Sequence, residues 1–256
     1  MCHELSQETQ LISIILAAGP ATRLRPLSYY IPKVLLPVRG RPVLDYLLRS
    51  MQELPIARHY VVASGQREII SDYLERTGNQ SVTVVSGLGW ETGGDLSIAL
   101  EQIQPQEEVI VTNGDLVTDL NAKRLADFHR EHRPLVTMGA FHIDDVEEAK
   151  RFGRLRVEDS GRVASFVEKS TEDRSPSPLV NTGIYVFDRT LVSDLRTRYF
   201  APRRFRLEDE LFPTLAREGK LYACDARPTY WWDVGTIESY LKAEEFLIGK
   251  ERVIPP

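Results

Sequence analysis

The sequence predicts an α/β fold, a three-layer sandwich with a mixed, mostly parallel central sheet and a small β-rich lobe near one end. Three observations predict it. From Ile12 to Phe141 apolar runs of strand length alternate with stretches of helical period, and the opening run Ile12–Ala18 stops at Gly19-Pro20. Beyond Arg151 the runs shorten and turn through Asp159-Ser160-Gly161. Strands alternating with helices imply a largely parallel sheet covered on both faces, and Asp-Ser-Gly between alternating runs signals a hairpin.

Taken in order, Ile12–Ala18 is too short for most helices and rich in Ile, so it reads as a buried strand. From Val43 to Leu54 the apolar residues Val43, Leu44, Leu47, Leu48 and Met51 repeat with a helical period. A strand at Tyr60–Ala63, a helix at Glu68–Arg76 and a strand at Val82–Val85 follow. The glycine-rich stretch Gly87 to Gly94 leads to a helix expected to begin near Asp95 and to continue through Leu96–Ile103. Next come a strand at Glu108–Thr112, a helix at Ala122–His132 and a strand at Leu135–Phe141. His129 and His132 fall on one face of that helix and are expected to be solvated. A hairpin of Arg154–Glu158 and Val163–Glu168 is expected to form the small lobe, and Thr171–Pro178 an exposed, mobile loop. Leu179–Phe187 is the next strand, with Leu207–Glu218 and Ile237–Ile248 as helices.

The 256 residues are 42% hydrophobic and 27% charged, ordinary values for a soluble chain of one large domain. The net charge is −5 with Lys and Arg scattered, which argues against nucleic acid as a partner. No apolar stretch approaches the roughly 18 to 20 residues of a membrane helix, and the opening MCHELSQETQ lacks the apolar core of a signal peptide. A cytoplasmic location and no membrane partner are the expectations. Two cysteines, Cys2 and Cys224, are too few for a disulfide framework or a zinc site.

Functional residues in an open sheet follow the carboxyl ends of its strands. After the first strand, Gly19, Pro20, Ala21 and Thr22 form a loop of small residues from which Arg23 projects, and Pro32-Lys33 adds a second cation. Small side chains admit an anion to the backbone, and the two cations point to a polyphosphate. Taken singly, each cation reads equally well as a surface charge. The loop fits neither GxxxxGK[ST] nor GxGxxG. Asn113-Gly114-Asp115 follows another strand and offers a carboxylate for Mg²⁺, whose ligands are oxygens. Trp231-Trp232-Asp233-Val234-Gly235-Thr236 offers a second; Thr236 is the better cap for the helix at Ile237, which frees Asp233. None of the five histidines, His3, His59, His129, His132 and His142, lies in these motifs, so a covalent His-assisted mechanism is not expected.

Leu16-Ala17-Ala18-Gly19-Pro20-Ala21-Thr22-Arg23-Leu24, followed by Pro26-Leu27 and Pro32-Lys33-x-Leu35-Leu36-Pro37-Val38, resembles the opening motif of the sugar-1-phosphate nucleotidylyltransferases. Members of that family make nucleotide sugars, and the pattern is closest to single-domain mannose-1-phosphate guanylyltransferases and glucose-1-phosphate nucleotidylyltransferases. Phe166-Val167-Glu168-Lys169 resembles the family's F-x-E-K segment, and Asn181-Thr182-Gly183-Ile184-Tyr185 its N-x-G-I-Y strand. The resemblance runs in family order from Leu16 to Thr236 and leaves no residues for the β-helical or acyltransferase extension of some relatives. Ala21 stands where the family usually has Gly, and its methyl is expected to narrow the approach of a phosphate.

The resemblance implies a Rossmann-like (GT-A-like) sandwich whose β-rich lobe binds sugar. Residues 10–150 would form the nucleotide-binding core, 151–235 the sugar-phosphate part, and 236–256 a C-terminal helix and tail. It implies Mg²⁺-dependent transfer of a nucleotidyl group from a nucleoside triphosphate to a hexose 1-phosphate, giving a nucleotide sugar and pyrophosphate. Mannose 1-phosphate with GTP is the first choice; UTP, CTP or dTTP with glucose 1-phosphate is the alternative. Arg23, Lys33, Asp115, Lys169 and Asp233 are the implied catalytic residues, with Asp115 and Asp233 on the metal. Leu16, Ala17, Ala18, Gly19, Pro20, Ala21, Thr22, Glu91, Thr92, Gly93, Asn113 and Gly114 are implied for the nucleotide; Trp90 reads first as a packing residue and second as a flank for the base. Gly153, Glu168, Lys169 and Asn181 are implied for the sugar phosphate. Relatives are often dimers or tetramers. Two competing readings are a catalytically silent, nucleotide-sugar-binding regulator, supported by Ala21, and a glycosyltransferase, which leaves Arg23 and Lys33 unexplained.

Overall fold

A computed structural model describes residues 10–169, 177–194 and 202–248. The N-terminus with Cys2 and His3, most of the expected loop Thr171–Pro178 and the end of the C-terminal tail lie outside the described residues.

The opening strand Leu11–Leu16 is buried at every position and lies in the middle of a nine-stranded sheet. Its side chains alternate between two cores, Leu11 and Ile15 on one face and Ile12, Ile14 and Leu16 on the other. This explains why the run is apolar but for Ser13, whose buried Oγ pairs with His59 Nδ1 at 2.7 Å: a strand covered on both sides has no polar face, and each large side chain it buries contributes roughly 1.5–3 kcal/mol. It pairs in parallel with Ile56–Ala63 and with Val109–Asn113, and Ile56–Ala63 pairs in parallel with Val82–Ser86.

Leu179–Phe187 reverses the direction, antiparallel to Val109–Asn113 on one side and to Val136–His142 on the other. Leu221–Asp225 adds a further strand parallel to Val136–His142. The hairpin strands Arg154–Val157 and Val163–Val167 join this same sheet through Val180 opposite Arg154. The sheet is thus parallel in its first half and mixed in its second.

Helices cover both faces. Val43–Ser50, Arg67–Arg76, Ala122–His132 and Ile237–Ile248 pack on the core containing Leu11, while Glu91–Ile103 and Phe212–Arg217 pack on the core containing Ile14. Among the described residues no helix is long and apolar enough to cross a membrane.

Four expectations need correction. The helix expected from Asp95 begins at Glu91 and contains Gly93 and Gly94. A Cβ on Gly93 would meet the Phe205 ring at 2.3 Å, and one on Gly94 the Arg203 carbonyl oxygen at 2.6 Å, so these glycines let a distant loop pack on a helix. His129 is buried, 1% exposed, because it continues the inward face of Ala122, Leu125 and Ala126; only His132 stays outside, stacked on Phe128. The segment expected as one helix from Leu207 opens with a π-helical turn, Leu207–Leu211, before the α-helix Phe212–Arg217. Leu221–Asp225, unassigned from sequence, is a strand.

Candidate active site

Three strands end at one cleft. Leu16, at the end of the first strand, lies opposite Asn113 at the end of a neighbour, and Gly114 N–H donates to the Leu16 carbonyl at 2.9 Å. A Cβ on Gly114 would sit 2.8 Å from that oxygen, so glycine is required where the two strand ends touch. The chain then turns into a short strand, Leu116–Thr118, which pairs antiparallel with Trp231–Asp233 and sets Asp233 opposite Leu116. This small ribbon carries Asp233 to Asp115 across more than a hundred residues of sequence, and Val234 N–H donates to the Asp115 carbonyl at 2.8 Å. Thr236 caps the following helix, its Oγ1 accepting from Ser239 N–H at 3.1 Å, while Asp233 Oδ1 accepts from Gly235 N–H at 2.7 Å.

Lys33 Nζ donates to Asp115 Oδ2 at 2.9 Å. A Cβ placed on Gly235 would lie 2.7 Å from Asp233 Oδ1, 3.3 Å from Arg23 Nη2 and 3.6 Å from Asp115 Oδ2. Both carboxylates and both cations therefore face one small volume. Burial alone would push the Asp115 carboxyl up, but the Lys33 ammonium, its hydrogen bond and Arg23 outweigh it and hold the group below the usual carboxylate range. Asp233 moves the other way: burial and the Asp115 charge raise it, and Gly235 N–H with Lys169 and Lys33 only partly offset them. Two neighbouring carboxylates that resist sharing negative charge are the oxygen ligand pair suited to Mg²⁺.

The pair lies in a cavity of about 460 Å³, within the range for small-molecule sites. The structure brings Leu16, Ala18, Gly19, Arg23, Lys33, Glu91, Thr92, Asn113, Asp115, Gly153, Glu168, Lys169, Asn181 and Asp233 to its wall. Of the residues implied from sequence, Ala17, Pro20, Ala21, Thr22, Gly93 and Gly114 do not line it. Ala21 adopts a left-handed conformation (φ 47°) and packs against the core beneath the loop.

Elsewhere in the lining, a Cβ on Gly153 would lie 2.7 Å from Glu168 Oε2, so this small residue makes room for the carboxylate. Asn181 is spoken for within its own strand: its Nδ2 donates to Tyr185 Oη at 2.9 Å and its Oδ1 accepts from Gly183 N–H at 2.9 Å. Among the wall residues that sequence reasoning missed are three charged ones, Asp95, Arg206 and Glu208. Arg206 Nη2 donates to Glu168 Oε1 at 2.9 Å, and Glu208 Oε2 accepts from Thr92 Oγ1 at 2.6 Å. Burial raises the Glu208 carboxyl, with Thr92 opposing. The alternation Arg204-Phe205-Arg206-Leu207-Glu208 was the only signal for Arg206 and Glu208.

The profile of the nucleotidyl transferase family matches residues 12–250. The chain belongs to that family. It is 31% identical to a mannose-1-phosphate guanylyltransferase of Mycobacterium tuberculosis, covering 93% of this chain and 65% of the relative. A UTP–glucose-1-phosphate uridylyltransferase of Synechocystis sp. is 26% identical, with 93% of this chain and 64% of the relative covered. The chain thus spans just under two thirds of these relatives. A crystal structure of a UDP-glucose pyrophosphorylase complexed with UDP-glucose superposes with a TM-score of 0.79 at 20% identity, over 95% of this chain and 99% of the other. The likeness confirms the Rossmann-like sandwich of a mixed sheet between helices.

Proposed function

We propose that this chain transfers a nucleotidyl group from a nucleoside triphosphate to a hexose 1-phosphate, with Mg²⁺, releasing a nucleotide sugar and pyrophosphate. The observation that carries the reading is the meeting of Arg23, Lys33, Asp115 and Asp233 around Gly235 in one cavity whose lining also includes Glu168 and Lys169. Similarity to a mannose-1-phosphate guanylyltransferase supports GTP and mannose 1-phosphate as first choice; similarity to a uridylyltransferase supports UTP and glucose 1-phosphate as the alternative.

In the proposed reaction an oxygen of the sugar phosphate forms a bond to the α-phosphorus. The bond from that phosphorus to the bridging oxygen breaks, and pyrophosphate leaves with the electron pair. A phosphate monoester has a second pKa of about 6, so the attacking oxygen is already ionised at neutral pH and no general base is needed. The chain's task is alignment and charge neutralisation. Arg23 and Lys33 neutralise the triphosphate, and Lys169 binds the sugar phosphate. Glu168, held by Arg206, accepts from sugar hydroxyls. Asp115 and Asp233 would hold the Mg²⁺, which when bound would supply charge neutralisation. Residues 10–150 serve the nucleotide and 151–235 the sugar phosphate, with 236–256 as helix and tail. Against a silent regulator speaks the retention of Arg23, Lys33, Asp115, Lys169 and Asp233, all of which line the cavity.

Pyrophosphate release, measured for GTP, UTP, CTP and dTTP against mannose and glucose 1-phosphates, tests the proposal. Release that needs Mg²⁺ and both substrates is expected. No release with any pair, or consumption of a nucleotide sugar without pyrophosphate, would overturn it.

A further inference from the structure

At the end of the sheet away from the cavity, Glu108 immediately precedes the strand Val109–Asn113 and Asp188 immediately follows Leu179–Phe187. These strands pair antiparallel with Phe187 opposite Val109, which sets the two carboxylates side by side. His129 reaches them from the helix Ala122–His132. One ligand atom from each of Glu108, His129 and Asp188 lies within 4.8 Å of the others.

The arrangement is costly as a purely internal polar cluster. His129 is 1% exposed, and its Nδ1 lies 2.9 Å from Thr137 Oγ1. Its Nε2 is buried without a hydrogen-bond partner, and the buried Glu108 Oε2 faces only the Arg130 guanidinium, at 3.5 Å. A buried imidazole nitrogen left unsatisfied beside two carboxylates calls for a ligand that accepts electron pairs from all three.

We propose that Glu108, His129 and Asp188 form a structural site for a borderline divalent cation of the Zn²⁺ or Mn²⁺ class. An imidazole with two carboxylates suits that class better than Mg²⁺, which prefers oxygen alone. Thr137 holds the ring through Nδ1, the outer contact that ligating histidines use, and Thr190 N–H orients Asp188 by donating to its Oδ1 at 2.8 Å. Arg130 Nε lies 3.5 Å from Glu108 Oε2 and balances part of the charge before the ion enters. It has a second acid, Asp127, at 3.9 Å to receive it afterwards. The ion would tie one helix to two central strands.

The test uses the full chain in an Asp115→Asn, Asp233→Asn background, so that the cavity carboxylates do not contribute. After chelation and dialysis, Zn²⁺ is titrated calorimetrically, bound metal is counted, and thermal unfolding is followed with and without Zn²⁺. Binding of one equivalent and a rise in midpoint of at least about 4 °C are expected. Glu108→Gln, which keeps the side chain's shape, should weaken binding at least about tenfold and remove most of the rise; His129→Gln should do the same. Absence of saturable binding, binding unchanged by Glu108→Gln, or equal competition from Mg²⁺ would overturn the proposal. Should His129→Gln fail to fold, Glu108→Gln decides alone.

Discussion

Gly235 offers the sharpest single perturbation of the cavity. In Gly235→Ala the new methyl would start 2.7 Å from Asp233 Oδ1, where ordinary carbon–oxygen contact begins near 3.4 Å, so the carboxylate must withdraw by several tenths of an ångström. The same methyl stands 3.3 Å from Arg23 Nη2 and 3.6 Å from Asp115 Oδ2, so it occupies space into which all three groups point. Backbone strain contributes nothing, because Gly235 has no positive φ. Overpacking costs about 1–3 kcal/mol where neighbours are rigid, and a 1 Å misplacement of catalytic groups costs on the order of 100-fold in rate. The expected result is a fall in kcat for pyrophosphate release of roughly 10- to 100-fold, against a stability loss of at most about 2 kcal/mol in urea. A variant with wild-type kcat and KM would show that Asp233, Arg23 and Asp115 do not act through this volume.

Two further outcomes follow from backbone and protonation. Ala21 occupies a left-handed conformation that costs a side chain roughly 1–2 kcal/mol, so Ala21→Gly should stabilise the fold by about 0.5–1 kcal/mol once the freer unfolded chain is counted. Urea denaturation measures this, and a destabilised variant would refute the strain argument. Burial lowers His59 from 6.5 to about 4, so between those values the unfolded chain binds a proton that the folded chain refuses. The His59 share of stability should therefore fall as pH drops through this window, by an upper limit of about 3 kcal/mol, and His59→Gln should remove that share of the slope while leaving the share of His129; a slope unchanged in the variant would contradict it.

Much of the frame was legible because its signals are local. The helices Ala122–His132 and Ile237–Ile248 and the strand Leu179–Phe187 match the sequence reading to the residue, each bounded by a cap or turn residue beside a strong apolar period. Gly93 and Gly94 misled because their function is to admit Phe205 and Arg203, over a hundred residues on, and no local pattern records such a partner. His129 was readable in principle, since it repeats the inward spacing of Ala122, Leu125 and Ala126; polarity was weighed above period there. In the cavity, Lys33, Asp115 and Asp233 came from motif resemblance, and only the pairing of Leu116–Thr118 with Trp231–Asp233 explains why they meet. Arg206 and Glu208 carry no motif and enter through long-range packing against Glu168 and Thr92.

The central claim is that Asp115 and Asp233 jointly hold a divalent ion against a bound nucleotide. Mn²⁺ binding in the presence of a saturating nucleoside triphosphate, followed by electron paramagnetic resonance on the wild type, Asp115→Asn and Asp233→Asn, tests it most directly. The account predicts nucleotide-dependent binding weakened at least about tenfold in each variant, with the far-ultraviolet circular dichroism spectrum unchanged. Equal Mn²⁺ affinity in all three proteins would contradict it.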